Sequence, residues 1–140
     1  MAFTGNYACN VFKTGMMNGT FNFTSGTFKI ALYKNSATLN AATAAYTSTG
    51  ETTGSGYTAG GKILTITQVP TTGTDTTAYI SFANAVWTGA ITARGALIYQ
   101  SGGSNPAVCV LDFGADKTSN GTFTVQFPAS TNTSAIIRIA

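Results

Sequence analysis

Histidine is absent from this 140-residue chain, and charge of either sign is scarce: seven Lys+Arg and four Asp+Glu make up 8% of the residues. An ordinary soluble domain carries ~25%. Without His, the commonest general base and metal ligand is missing, and four carboxylates leave few ways to assemble a catalytic pair. A glycosidase needs two carboxylates facing each other across a sugar cleft, and the spacing of Glu51, Asp75, Asp112 and Asp116 suggests none. These shortages point away from an enzyme, and neither a cofactor nor a metal is expected. Cysteine is equally sparse. Cys9 and Cys109 lack metal-type spacing, and Cys109 lies in an apolar run, 107–111, where a thiol acts as a small hydrophobe rather than as half of a disulfide. No apolar run approaches the ~20 residues that cross a bilayer, so no membrane association is expected. The opening residues lack the basic leader and apolar stretch of a secretory signal. Without one, the sequons at Asn18, Asn22, Asn120 and Asn132 carry no weight.

Polarity comes instead from hydroxyls and amides: 26 Thr, 16 Gly, 10 Ser and 10 Asn. Such a composition could be low-complexity, but 44% hydrophobic residues, 11% aromatics and a net charge of +3 supply enough apolar surface to offset chain entropy. The length suits one domain, 1–140, read as an N-terminal arm with a helix (1–19) followed by a β-sandwich (20–140). The helix is expected over residues 6–14, where Tyr7 and Val11, and Ala8 and Phe12, recur four apart before Gly15.

From Thr20 onward the period becomes two. Strands are expected over 21–23, 27–34, 62–69, 78–84, 92–99, 107–113, 122–127 and 135–139, separated by segments rich in Gly, Pro and Asn. Phe28, Ile30 and Leu32 alternate with Lys29, Ala31 and Tyr33, a half-buried pattern. By contrast, 107–111 is apolar on both faces and reads as a central strand. Short strands at regular spacing with almost no helix indicate an all-β, antiparallel β-sandwich, with a jelly roll of about eight strands as the first choice. The stretch 35–61 is long for a plain loop and is expected to hold a short strand near Tyr46.

Motifs for chemistry are missing. Gly54-Ser55-Gly56 lacks the spacing of a nucleophile elbow. Gly61-Lys62 is followed by Ile63 and a strand, unlike a phosphate-binding loop. Asp112 and Asp116, around a turn expected at Gly114-Ala115, read as a solvated acidic turn rather than a Ca²⁺ site. Lys and Arg do not cluster, so nucleic acid is not an expected partner. Tyr33, Tyr79 and Trp87 could stack on sugars or bases, but in a sandwich such rings are usually core or interface. Charge is depleted at the centres of protein interfaces, so this composition suits a surface pressed against other subunits. Arg94 and Arg138 then stand out. Each sits in an apolar or small-residue strand and suits either a bidentate pair across a subunit boundary or the cap of a sheet edge.

Three segments carry a family resemblance: Thr27-Phe28-Lys29-Ile30-Ala31-Leu32-Tyr33; Ala44-Ala45-Tyr46-Thr47-Ser48-Thr49-Gly50-Glu51 leading into Gly56-Tyr57-Thr58-Ala59-Gly60-Gly61-Lys62; and Thr92-Ala93-Arg94-Gly95-Ala96-Leu97-Ile98-Tyr99. Together they resemble the small Thr/Gly-rich virion structural proteins of tailed bacteriophages, most of all the head decoration (cement) proteins. The resemblance implies a β-sandwich, often a jelly roll. It further implies a symmetric oligomer, usually a homotrimer, made in the bacterial cytoplasm and clamping major capsid protein subunits on the outer surface of the head. Under that reading the lattice-contacting parts are residues 3–17, with Phe3, Tyr7, Phe12, Met16 and Met17, and the 35–61 excursion, with Tyr46 and Tyr57, alongside Arg94 and Arg138. The competing reading is a tail-associated or fibre-tip protein that binds a host-surface glycan through Tyr- and hydroxyl-rich loops.

Overall fold

In the computed structural model, which describes residues 3–140, the chain is mostly β, with three antiparallel sheets and one short helix. In chain order the elements are β1 (Tyr7–Ala8), α1 (Asn10–Asn18), β2 (Phe28–Tyr33), β3 (Lys62–Ile63), β4 (Ile66–Thr72), β5 (Ala78–Phe82), β6 (Ala85–Thr88), β7 (Ile91–Gln100), β8 (Ala107–Ser119), β9 (Thr122–Val125) and β10 (Ile137–Ile139). The largest sheet runs β1-β8-β7-β2-β3, the second β10-β5-β4, and the third is the β6-β9 pair. One contiguous apolar cluster draws on all three sheets and on α1, through residues such as Phe12, Phe28, Leu97, Val108, Phe82, Trp87 and Phe123.

The alternating segments fold as strands, with corrections that have local causes. β2 is buried on both faces rather than one: Ala31 and Tyr33 are as covered as Phe28, Ile30 and Leu32, because the 35–61 excursion folds over their side. Phe21 and Phe23 are not in a strand. They sit in an irregular turn whose rings fill the core, Phe23 stacking on Phe28 with centroids 4.3 Å apart. The single strand expected over 62–69 is two strands in different sheets. Leu64 N–H still donates to Phe28 C=O (2.8 Å), whereas Thr65 C=O already accepts from Ala83 N–H (2.9 Å), so the chain changes sheet between these neighbours. β6 was not anticipated: Ala85 and Trp87 point inward, Val86 and Thr88 outward. The 35–61 excursion holds no named strand, but single bridges tie Ala45 to Pro106, Glu51 to Tyr33 and Gly54 to Ile91.

The helix lies four residues later than its apolar spacing suggested. Tyr7 and Ala8 pair with Val110 and Cys109 of β8, and Cys9 N–H donates to Val108 C=O (2.9 Å), so the chain is extended until Asn10. Gly15 does not end α1. It is buried inside it, where a Cβ would come 2.4 Å from the Phe21 ring, and the stop is Gly19 at φ 80°. Gly114 and Ala115, expected to turn, remain within β8. Between the pairs Ala93↔Lys117 and Gly95↔Asp112, β8 spends more residues than β7, a bulge in which Gly114 takes φ 79°. Beyond it, β8 and β9 diverge around a recess of about 420 Å³.

Two left-handed glycines separate backbone strain from steric clash. A Cβ on Gly61 (φ 74°) would lie 1.9 Å from Ile30 C=O, whereas on Gly114 (φ 79°) it would meet nothing within 4 Å. Gly114→Ala is expected to cost about 1–2 kcal/mol, the penalty of a left-handed L-residue, and Gly61→Ala at least about twice that, because β2 must also move. Urea unfolding of both variants checks the ordering.

Candidate functional site

The two ends of the described chain build one groove. On one side stand β1 and α1, contributing Tyr7, Ala8, Phe12, Lys13 and Met16; the floor is Cys109, Val110 and Leu111 of β8; on the other side lie Ile136, Ile137, Arg138 and Ile139. Its volume is about 500 Å³, within the range of natural ligand and peptide pockets. Met16, Ile137 and Ile139 also line an adjoining small apolar recess with Phe23, Pro70 and Tyr79. Around this region large apolar side chains face solvent: Met17 is 83% exposed and Ile139 50%. β1 and β10 are the outermost strands of their sheets. Arg138 Nη1 donates to Thr133 C=O (2.7 Å), which braces the guanidinium beside the groove.

The residues expected at an interface are thus divided. Met16, Met17, Tyr7 and Arg138 are in or beside the groove with accessible surface. Phe3 and Phe12 belong to the chain's own core: Phe3 is fully covered and lies against Gly95, while Phe12 makes edge-on contacts with Phe21 and Phe23. Arg94 has an intrachain partner in place of one across a boundary. Its Nε donates to Asp112 Oδ1 (2.9 Å), and both side chains are largely covered. Asp112 Oδ1 also accepts Gly114 N–H (2.9 Å), so this pair fixes the β8 bulge, and the guanidinium holds the Asp112 carboxyl below the usual carboxylate range. Tyr33 and Trp87 are buried and Tyr79 half-buried, which leaves no broad aromatic platform among the three. No group of three or more His, Cys, Asp or Glu side chains converges among the described residues, and no helix there is long and apolar enough to cross a membrane.

Tyr46 and Tyr57 have a role that the sequence did not disclose. Both donate to the buried carboxylate of Glu51, Tyr46 to Oε2 (2.7 Å) and Tyr57 to Oε1 (2.6 Å), while Gly60 N–H also donates to Oε1 (2.7 Å). The Tyr57 oxygen accepts Leu32 N–H (2.9 Å), and Tyr99 OH donates to Gly60 C=O (2.6 Å). Tyr33 OH donates to Thr47 C=O (2.6 Å). Four tyrosines from β2, β7 and the excursion therefore bind one loop onto the large sheet. The only acid in a long uncharged stretch was the available signal. Burial, then the hydrogen bond to Glu51, pushes Tyr46 up to about 12; the same causes push Tyr57 higher still.

Both cysteines are free and buried, and the register sets Ala8 opposite Cys109. Burial pushes the Cys9 thiol up to about 11 and the Cys109 thiol up to about 12.

Because the folded tyrosines hold their protons above their unfolded value near 10, their stabilisation is complete below pH ~10 and is lost as pH rises toward the folded values. Denaturant unfolding at stepped pH is expected to show a fall beginning near pH ~9–10, where the thiols begin to contribute, and steepening above it. Tyr57→Phe removes a hydrogen bond to a charged group and strands Leu32 N–H, so it is expected to cost about 1.5–3 kcal/mol at neutral pH and to flatten that fall.

No protein-family model matches this chain, and comparison with curated proteins and with solved structures yields no match either.

Proposed function

We propose that this protein is a virion structural protein of a tailed bacteriophage, binding the outer surface of the head as a decoration (cement) protein in contact with the major capsid protein. The observation that carries the reading is the apolar groove lined by the exposed Met16 and Ile139, with the exposed Met17 next to Met16 on α1, beside the resemblance of three segments to that family. Fully burying a side chain such as Met17 contributes about 1.5–3 kcal/mol, so one protomer's patch makes a weak contact. A homotrimer over a three-fold or quasi-three-fold junction offers that patch three times, and effective concentration turns weak contacts into firm attachment. Attachment that favours the mature lattice over the unexpanded one stabilises the shell by mass action. The jelly-roll strand order, the homotrimer and the location on the head belong to this proposal.

Gold-labelled antibody on purified particles, together with heating of particles that lack the protein, tests it. Label spread over the head and heads that break at lower temperature are expected, with Met17→Asp and Ile139→Asp reducing the number of copies bound. Label confined to the tail, or heads as heat-resistant as wild type, overturns the cement role; tail label would instead favour the glycan-binding reading.

A further inference from the structure

We propose that the groove between β1 and β10 is a strand-docking site that takes an extended, carboxylate-bearing segment of a partner protein. This rests on reading the chain as a protein-binding module and goes further, by assigning the form and charge of what it binds.

Three independent features select that occupant. The first is backbone. β1 ends the large sheet and β10 ends the three-stranded one, and both line the same groove. Cys9 N–H faces β8, where it donates to Val108 C=O, and hydrogen-bonding groups alternate along a strand, so those of Ala8 face away from β8. A free edge is a template for an added strand, in which main-chain bonds give affinity and alternate side chains give specificity. The second is the apolar lining: Met16, Leu111, Ile137 and Ile139, each with accessible surface, offer contact to alternate side chains of such a strand.

The third is charge. Lys13 and Arg138 line the groove, and none of its lining residues is acidic. Cations on an edge discourage two like copies from pairing there, and opposite charge converts the same feature into attraction. A second copy of this chain is poorly equipped to supply that charge. Of its four acids, Glu51 is buried and Asp112 is paired with Arg94, which leaves Asp75 and Asp116. A different, acidic chain fits the site better.

The test uses the full chain, labelled for NMR, and short acetylated peptides at millimolar concentration. A peptide alternating valine and glutamate is expected to shift the amide signals of Ala8 and the β10 residues. Its glutamine counterpart is expected to bind about tenfold more weakly, and the Lys13→Glu, Arg138→Glu double variant to lose affinity at least as much while keeping the wild-type melting temperature. Methylating alternate peptide nitrogens is expected to abolish binding. Equal binding of the glutamate and glutamine peptides, or no effect of the double variant, overturns the proposal. So does decanoate shifting these signals where the peptide does not, which would mark an amphiphile site. The same shifts on concentrating the protein alone would mark a contact between copies and overturn it too. Because the readout is the isolated chain, failure here leaves the head-labelling result untouched, and failure there leaves this result standing.

Discussion

Glu51 is the point on which the 35–61 excursion turns. A buried carboxylate without a cation is costly unless its lone pairs are filled, and here two phenolic O–H groups and one backbone N–H fill them. The donors come from positions 46, 57 and 60, so the carboxylate draws a long loop into a closed shape. The Tyr57 oxygen then takes the N–H of Leu32, beyond the two residues of β2 that β3 pairs. The same cluster thus completes the large sheet's hydrogen bonding and covers the second face of β2. That cover explains why a strand with a polar-looking alternate face is buried at every position but Lys29. It also commits the hydroxyls of Tyr46 and Tyr57 within the chain, while both side chains stay half-buried.

The scarcity of charge takes on a spatial meaning once the acids are located. Glu51 and Asp112 are consumed by internal work, one holding a loop and the other a bulge. The cations are not matched in this way: Arg94–Asp112 is the single ion pair among the described residues. The result is an exterior whose few charges are mostly positive, set in hydroxyl and amide surface, with the groove between β1 and β10 lined by two of them. A net charge of +3 gives the exterior a weak positive field, which salt screens.

Local patterns in the sequence carried what depends on local physics. Thr122 to Val125 alternates strictly, and the strand lies there; 107–111 is apolar on both faces and is flanked by β1 and β7. Errors arose where tertiary partners overrule neighbours. The Tyr7/Val11 spacing suits a helix, yet pairing with β8 extends the chain at Tyr7 and Ala8. Gly114-Ala115-Asp116 has turn chemistry, but the bulge absorbs it without ending the strand. β6 begins one residue past Asn84, where the strand expected over 78–84 ends. The Asn84 side-chain carbonyl accepts Phe127 N–H (2.9 Å), which ties the residue between β5 and β6 to the chain just past β9. The groove was beyond sequence reasoning, being made from residues 6–16, 109–111 and 136–139, which only the folded sheets bring together.

The covered thiols carry a consequence for the surroundings in which this fold persists. Thiolate, not thiol, is the species that attacks disulfides and oxidants, and burial holds both cysteines in the protonated form far above neutral pH. With Cys9 and Cys109 buried and no disulfide among the described residues, the fold there is held without a covalent cross-link, and its two thiols are poor nucleophiles at neutral pH.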